Sequence, residues 1–157
     1  MSQATEPLIV VGVDGSKHSK EALRWAVRQA TLVGGRVHAI MSWEWSTNPF
    51  NLGGPADGTT VVGGRELLSP GETSRVQLVD VVTETVGENP PVPVHSRIVQ
   101  GPAAKVLVEA SGAADLLVVG TRGYGGFKGA LLGSVSHQVA QHAHCSVVVV
   151  REKKSDS

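Results

Sequence analysis

A chain of 157 residues can bury a real core as one domain, and 14 Lys+Arg against 14 Asp+Glu leave it with no formal charge. That balance disfavours a nucleic-acid partner, which needs a net-positive surface, and favours self-association. The single cysteine, Cys145, excludes an intrachain disulfide, and no apolar run approaches the roughly 18 residues of a membrane span.

The opening MSQATEPL has no basic segment followed by an apolar one, so no signal peptide is expected and the reading is a cytoplasmic protein. Aromatics make up only 4% of the chain, so the core must be built from Val, Leu, Ile and Ala. Leu8–Val13 is a short, β-branched apolar run, read as the first strand. It stops at Asp14-Gly15-Ser16, a turn and helix-start cluster with Ser16 as candidate N-cap. Leu23, Ala26, Val27 and Ala30 share one helical face, giving an amphipathic helix over 17–33 that Gly34-Gly35 terminates.

Arg36–Trp43 reads as the second strand. Residues 44–65 hold Asn48-Pro49, Gly53-Gly54-Pro55, Asp57-Gly58 and Gly63-Gly64, and read as a long flexible loop, either a surface insertion or a ligand-covering lid. Pro70–Gly87 reads as the second helix, with Pro70 and Glu72 suited to its first turn. Val92–Val99 is the third strand, with the imperfect alternation of a sheet edge. Gly101-Pro102 starts a third helix, whose Val106, Leu107 and Ala110 face inward and which ends near Gly112. Asp115–Val119 is the fourth strand, 134–144 the fourth helix and 146–151 the fifth strand, followed by a polar, frayed tail over 152–157.

Strict β-α alternation implies a doubly wound, Rossmann-like α/β fold: a five-stranded parallel sheet with helices on both faces. The expected strand order is 3-2-1-4-5, in one domain with a core over about 7–151. Ligands in such sheets sit beyond the carboxyl ends of the strands where the order reverses, here between the first and fourth strands. That places Asp14 and Gly120 at one crevice.

The stretch DLLVVGTRGYGGFKGALLGSVS, residues 115–136, carries the chemical signal. A buried strand, a glycine-rich segment and a helix start are the parts of a phosphate cradle: backbone N–H groups approach the anion, and the helix N-terminus adds unpaired donors. Neither G-x-x-x-x-G-K-[ST] nor G-x-G-x-x-G is present. What is present is Gly120-x-x-Gly123, nine residues, then Gly133-Ser134.

This G-x2-G-x9-G-[ST] pattern after the fourth strand resembles the universal stress proteins, particularly their ATP-binding branch, and the resemblance runs over nearly the whole chain. Val11-Gly12-Val13-Asp14-Gly15-Ser16 is similar to the opening strand and turn of that family, Gly101-Pro102-Ala103 to its third-helix start, and 143–151 to its closing strand. The resemblance implies that Asp14 sits at the ribose and at a phosphate-bound Mg²⁺, and that Gly12 and Ser42, or alternatively Met41, flank adenine. It implies that Gly120, Arg122 and Gly123 contact the ribose and α-phosphate, and that Gly133, Ser134, Val135 and Ser136 cradle the outer phosphates of ATP. It also implies a homodimer through Ser146–Val150, an apolar strand at the sheet edge.

The residues read more plainly as well. Asp14 serves equally as a turn or cap residue, Arg122 as a solvated loop charge, and Ser134 as a capping serine. His137, His142 and His144 do not share a helix face, so no metal cluster is expected, and His18 and His38 read as solvated. Trp25, Trp43 and Trp45 read as core or lid contacts, and Cys145 as inertly buried. The glycine segment offers no evident general base, so the expected role is nucleotide-responsive regulation of stress or dormancy physiology, with at most slow ATP hydrolysis. The alternatives are a cAMP binder of the same family and an ATP-using enzyme of the adenylate-forming or ATP-pyrophosphatase type. The place after the first strand lacks the S-G-G-x-D-S loop of those enzymes.

Overall fold

The computed structural model describes residues 6–44, 61–62, 65–66, 69–121 and 132–151. Its main sheet is built from β1 (Leu8–Gly12), β2 (Arg36–Trp43), β5 (Val94–Gln100), β6 (Leu116–Gly120) and β7 (Ser146–Val150). Every pairing in it is parallel, and the order is β5-β2-β1-β6-β7. Counting these five strands along the chain, that is the expected 3-2-1-4-5. Two further strands, β3 (Val61–Val62) and β4 (Arg65–Glu66), pair antiparallel inside the stretch read from sequence as structureless loop.

Helices cover both faces. α1 (Lys17–Val33) and α2 (Pro70–Val86) lie on one side, α3 (Ala103–Ser111) and α4 (Ser134–His142) on the other. Alternation along β1 feeds both cores: Ile9 and Val11 pack under α1 and α2, Leu8 and Val10 under α3 and α4. This explains the continuous apolar run of a central strand, since neither side of β1 meets water. Each of these side chains contributes about 1.5–3 kcal/mol of burial free energy.

Helix ends follow local chemistry. Ser16 caps α1, and Gly34 closes it with a φ of 67°. Ser69 and Glu72 form a reciprocal capping box ahead of α2, with Pro70 in the first turn. Several boundaries differ from the sequence reading by one or two residues, and three have a local cause. β5 begins at Val94 because Pro93 offers only its carbonyl, which accepts the Val37 N–H at 2.9 Å. Pro102 stands one place earlier than expected, as the extended N-cap of α3. α4 stops at His142 because Ala143 turns extended, and the next N–H, of His144, is captured by Ser111 Oγ at 2.8 Å.

Candidate functional site

β1 pairs with β2 on one side and with β6 on the other. The order therefore reverses at the C-terminal ends of β1 and β6, where open α/β sheets hold their ligands. Three segments meet at this edge: the turn after β1, the residue after β6 and the first turn of α4.

The turn after β1 is tightly bonded. Asp14 Oδ1 accepts the Ser16 N–H at 2.8 Å, an Asx turn. Gly15 between them has a φ of 87°, a conformation a Cβ would resist. Ser16 Oγ accepts the Ser19 N–H at 3.2 Å, while Ser19 Oγ accepts the Asp14 N–H at 3.2 Å and donates to Ser16 O at 3.0 Å. Asp14 is therefore a turn residue in fact.

Gly12 and Gly120 each have a packing reason to be glycine. A Cβ on Gly12 would stand 2.8 Å from Leu107 Cδ1 of α3. A Cβ on Gly120 would stand 2.8 Å from the carbonyl carbon, the oxygen and the Cβ of His18. Bare backbone at 120 thus lets the first turn of α1 lie against the end of β6.

Thr121, which the sequence reading passed over, joins these parts. It is buried; its carbonyl accepts the Gly133 N–H at 2.6 Å and the Ser136 hydroxyl at 3.0 Å, and its own N–H donates to Val150 O at 3.0 Å. Its hydroxyl lies 3.5 Å from His18 Nδ1. His18, expected in solvent, is half-buried here. Sequence had no cue for Thr121 beyond its place after a strand-ending glycine, since its partners His18 and Ser136 are 103 and 15 positions away.

The first turn of α4 is open. Gly133 is its N-cap and provides no side-chain cap, and the first N–H bonded back to it is that of His137, at 2.9 Å. The N–H groups of Ser134, Val135 and Ser136 precede that bond, the usual unpaired donors of a helix start. The Ser134 side chain is exposed and Val135 is half-buried against the α3 side of the core. The Ser136 hydroxyl is buried and donates to the Thr121 and Gly133 carbonyls, so it ties the two ends of the 121–133 segment together.

Of the two residues considered at the end of β2, Met41 is buried in the core under α1 and α2. Ser42 is half-buried and alternates onto the other face, that of Ile40 and Leu107, where Gly12 also lies. Arg122 and Gly123 lie outside the described residues, as do Trp45 and the tail over 152–157.

The donor set suits a phosphate-bearing ligand, since the N-cap of α4 is Gly133 and no side chain caps its first N–H groups among the described residues. Among the described residues no three His, Cys, Asp or Glu side chains converge to hold a metal alone. Mg²⁺ commonly binds through one or two carboxylates plus phosphate oxygens, and one carboxylate, Asp14, stands at this edge. No helix among the described residues is long and apolar enough to cross a membrane.

Comparison with known proteins reaches the same place. Residues 8–151 match the Universal stress protein family. A universal stress protein of Mycobacterium tuberculosis is 36% identical over 94% of this chain, which spans 48% of that relative's length. A universal stress protein of Methanocaldococcus jannaschii is 34% identical over 94% of this chain and 84% of its own. The chain thus spans about half the length of several curated relatives it matches. Among solved structures, a universal stress protein in complex with cAMP is 25% identical, with a TM-score of 0.65 over 94% of this chain and 98% of its own. One from Archaeoglobus fulgidus in complex with dAMP shares the fold at 19% identity, with a TM-score of 0.55 over 92% of this chain and 96% of its own. The parallel sheet, the Asx turn after β1 and the open α4 start are therefore those of a member of the universal stress protein family.

Proposed function

We propose that this protein binds ATP with Mg²⁺ in the crevice between the ends of β1 and β6, and that the nucleotide regulates stress or dormancy physiology by changing the surface around the site. The observation that carries this reading is the uncapped start of α4, held beside the end of β6 by the Gly133–Thr121 and Ser136–Thr121 hydrogen bonds. On this reading the N–H groups of Ser134, Val135 and Ser136 bind the outer phosphates, with the Ser134 hydroxyl beside them. Gly120, Arg122 and Gly123 meet the ribose and α-phosphate. Gly12 and Ser42 form the adenine wall, and Asp14 takes the ribose and a share of the Mg²⁺. The metal would supply charge neutralisation between the phosphates.

The reading gives binding precedence over catalysis. Hydrolysis needs a group that orients or activates water, and the imidazole brought closest to Thr121, that of His18, turns Nδ1 toward the threonine hydroxyl. Turnover is therefore expected at or below about 1 per minute, far under the 1–10³ s⁻¹ of dedicated enzymes. Self-association through β7 completes the proposal: it is a sheet edge, with Val147, Val148 and Val149 only half-buried.

Mass spectrometry of nucleotide released from freshly purified protein, with titration calorimetry using ATP-Mg²⁺, tests the reading. Co-purifying ATP or ADP, or saturable ATP binding weakened at least tenfold by Asp14→Ala, supports it. Absence of both overturns it. A second reading, preference for cAMP, is favoured by the cAMP complex of the 25%-identical relative. Competition decides it: cAMP displacing ATP at a concentration below that of ATP replaces the first reading with the second.

A further inference from the structure

On the α3 side of the sheet, β2 and β5 carry a second concentration of charge, from Arg36 at the start of β2 to Arg97, which is level with Ile40 and, through it, with Gly12 two strands away. Arg36 and His38 are successive side chains on one face of β2, and His95 and Arg97 on the same face of β5. Leu8 pairs with Arg36 and Ile40 with Arg97, and both partners belong to the α3-side core, which fixes the face. His38 pairs directly with His95, and their rings meet edge to face with centroids 5.5 Å apart.

Among the described residues no helix covers β5 on this face. α3 packs over β1, β2 and β6, while β5 is the edge strand, and His95 and Arg97 are exposed. Like charges directly opposite on paired strands repel, so such a cluster calls for a counter-charge. Among the described residues none forms an ion pair with it: the pairs are Lys20–Glu84 and Glu21–Arg24, and neither Arg36 nor Arg97 takes part in one. Arg36 Nε is buried with no hydrogen-bond acceptor. On the same face of β1, Leu8 and Val10 are apolar. The charged residues of α3 are Lys105 and Glu109, both exposed; Asp115, ahead of β6, accepts the Leu8 N–H at 2.8 Å, and Glu6 is exposed. The charges acting on His38 are all positive: burial holds its pKa below the ordinary value, and His95, Arg36 and Arg97 push the same way.

We propose that Arg36, His38, His95 and Arg97 form a binding site for a phosphate oxyanion, separate from the nucleotide crevice. Two guanidinium groups and two imidazoles present planar and directional N–H donors to three or four phosphate oxygens. The anion supplies the missing counter-charge. Because it favours protonated imidazole, its affinity rises as pH falls from about 8 to about 6.

Histidine side-chain NMR of the full chain, titrated with inorganic phosphate and separately with phosphoserine at constant ionic strength, tests this. The expected result is saturable movement of the His38 and His95 resonances, an affinity at least tenfold higher at pH 6 than at pH 8, and at least tenfold weakening in Arg97→Gln and in Arg36→Gln. His95→Gln, another exposed position, guards against a folding artefact. Tighter binding of phosphoserine identifies a phosphorylated partner as the source, and equal binding identifies the free ion. Movement of His18 alone would locate phosphate at the crevice and overturn the proposal, as would equal shifts with chloride or undiminished binding in both arginine variants.

Discussion

Replacing Gly120 by alanine tests whether the crevice is set by packing. The new Cβ would lie 2.8 Å from three atoms of His18, two of them backbone. Backbone in a helix's first turn cannot swing aside as a side-chain tip can, so α1 or β6 must move. Overpacking of this kind costs about 1–3 kcal/mol. Gly120 is not in the left-handed region, so alanine also gains about 0.4–1 kcal/mol by stiffening the unfolded chain. The net expectation is a loss of about 1.3 kcal/mol at mid-range, within a span of about 0–2.6 kcal/mol, and a mid-range Tm drop of about 3–5 °C for a chain of this size. Gly12→Ala is the matched control. Its Cβ meets Leu107 Cδ1 at the same 2.8 Å, but that atom ends a side chain that can turn. A rotamer cost of about 0.5–1.5 kcal/mol against the same entropic gain leaves Gly12→Ala within about 1 kcal/mol of the parent. Urea melts of the three proteins, with ATP titrations of each, check this. Equal stability of Gly120→Ala and the parent would refute the reasoning, because α1 would then not be held against bare backbone.

Three further outcomes are expected. Ser136→Ala removes the hydroxyl that donates to the Thr121 and Gly133 carbonyls, and should lower stability by about 1–2 kcal/mol and weaken ATP binding; an unchanged urea midpoint would show that these bonds hold nothing. His38 has a folded-state pKa below 6.5, through burial first and then His95, Arg36 and Arg97, so the unfolded chain binds the extra proton. Without phosphate, stability should therefore fall as pH drops below about 6.5, and His38→Gln should flatten that limb of a urea-midpoint profile. Cys145 is shifted above 9.0, by burial first and then by Asp115, against an opposing hydrogen bond from the Leu117 backbone. The folded chain then holds the proton longer, so its contribution to stability is lost as pH rises beyond about 9, and iodoacetamide should label the native thiol more slowly than the urea-unfolded one at neutral pH.

Much of this was readable along the chain because it is local or periodic. The β-branched runs at 8–11 and 116–119, the helical face of Leu23, Ala26, Val27 and Ala30, and the cap at Ser16 depend on near neighbours, and each lies where the pattern puts it. Alternation of strands and helices was enough for a parallel sheet covered on both faces, while the expected order 3-2-1-4-5 rests on which strands pair. The reasons behind single residues were less legible. Gly12 and Gly120 look like ligand glycines in one dimension, yet the His18 backbone excludes a side chain at 120 whatever binds, and the Leu107 side chain crowds one at 12. Ser136 looks like a phosphate hydroxyl, but its partners are the carbonyls at the two ends of one segment. His38 looked solvated because β2 alone does not reveal that β5 brings His95 and Arg97 beside it; that takes register.

The way Thr121 is bonded offers a route between the proposed nucleotide site and the proposed association edge. A ligand at the start of α4 must act on the N–H groups that follow Gly133, and Gly133 and Ser136 are both bonded to the Thr121 carbonyl. The same peptide group system continues through the Thr121 N–H to the carbonyl of Val150, the last residue of the edge strand β7. A shift in how Thr121 is held by α4 therefore reaches the end of the strand on which self-association is proposed, through two hydrogen bonds and no intervening side chain. The Thr121 hydroxyl beside His18 links α1 to the same point. Coupling of this sort requires a ligand to prefer one arrangement of these bonds over another. An anion at the α4 start meets that requirement, because its affinity depends on how the donors of Ser134, Val135 and Ser136 are aimed, and their aim is fixed where Gly133 and Ser136 join Thr121.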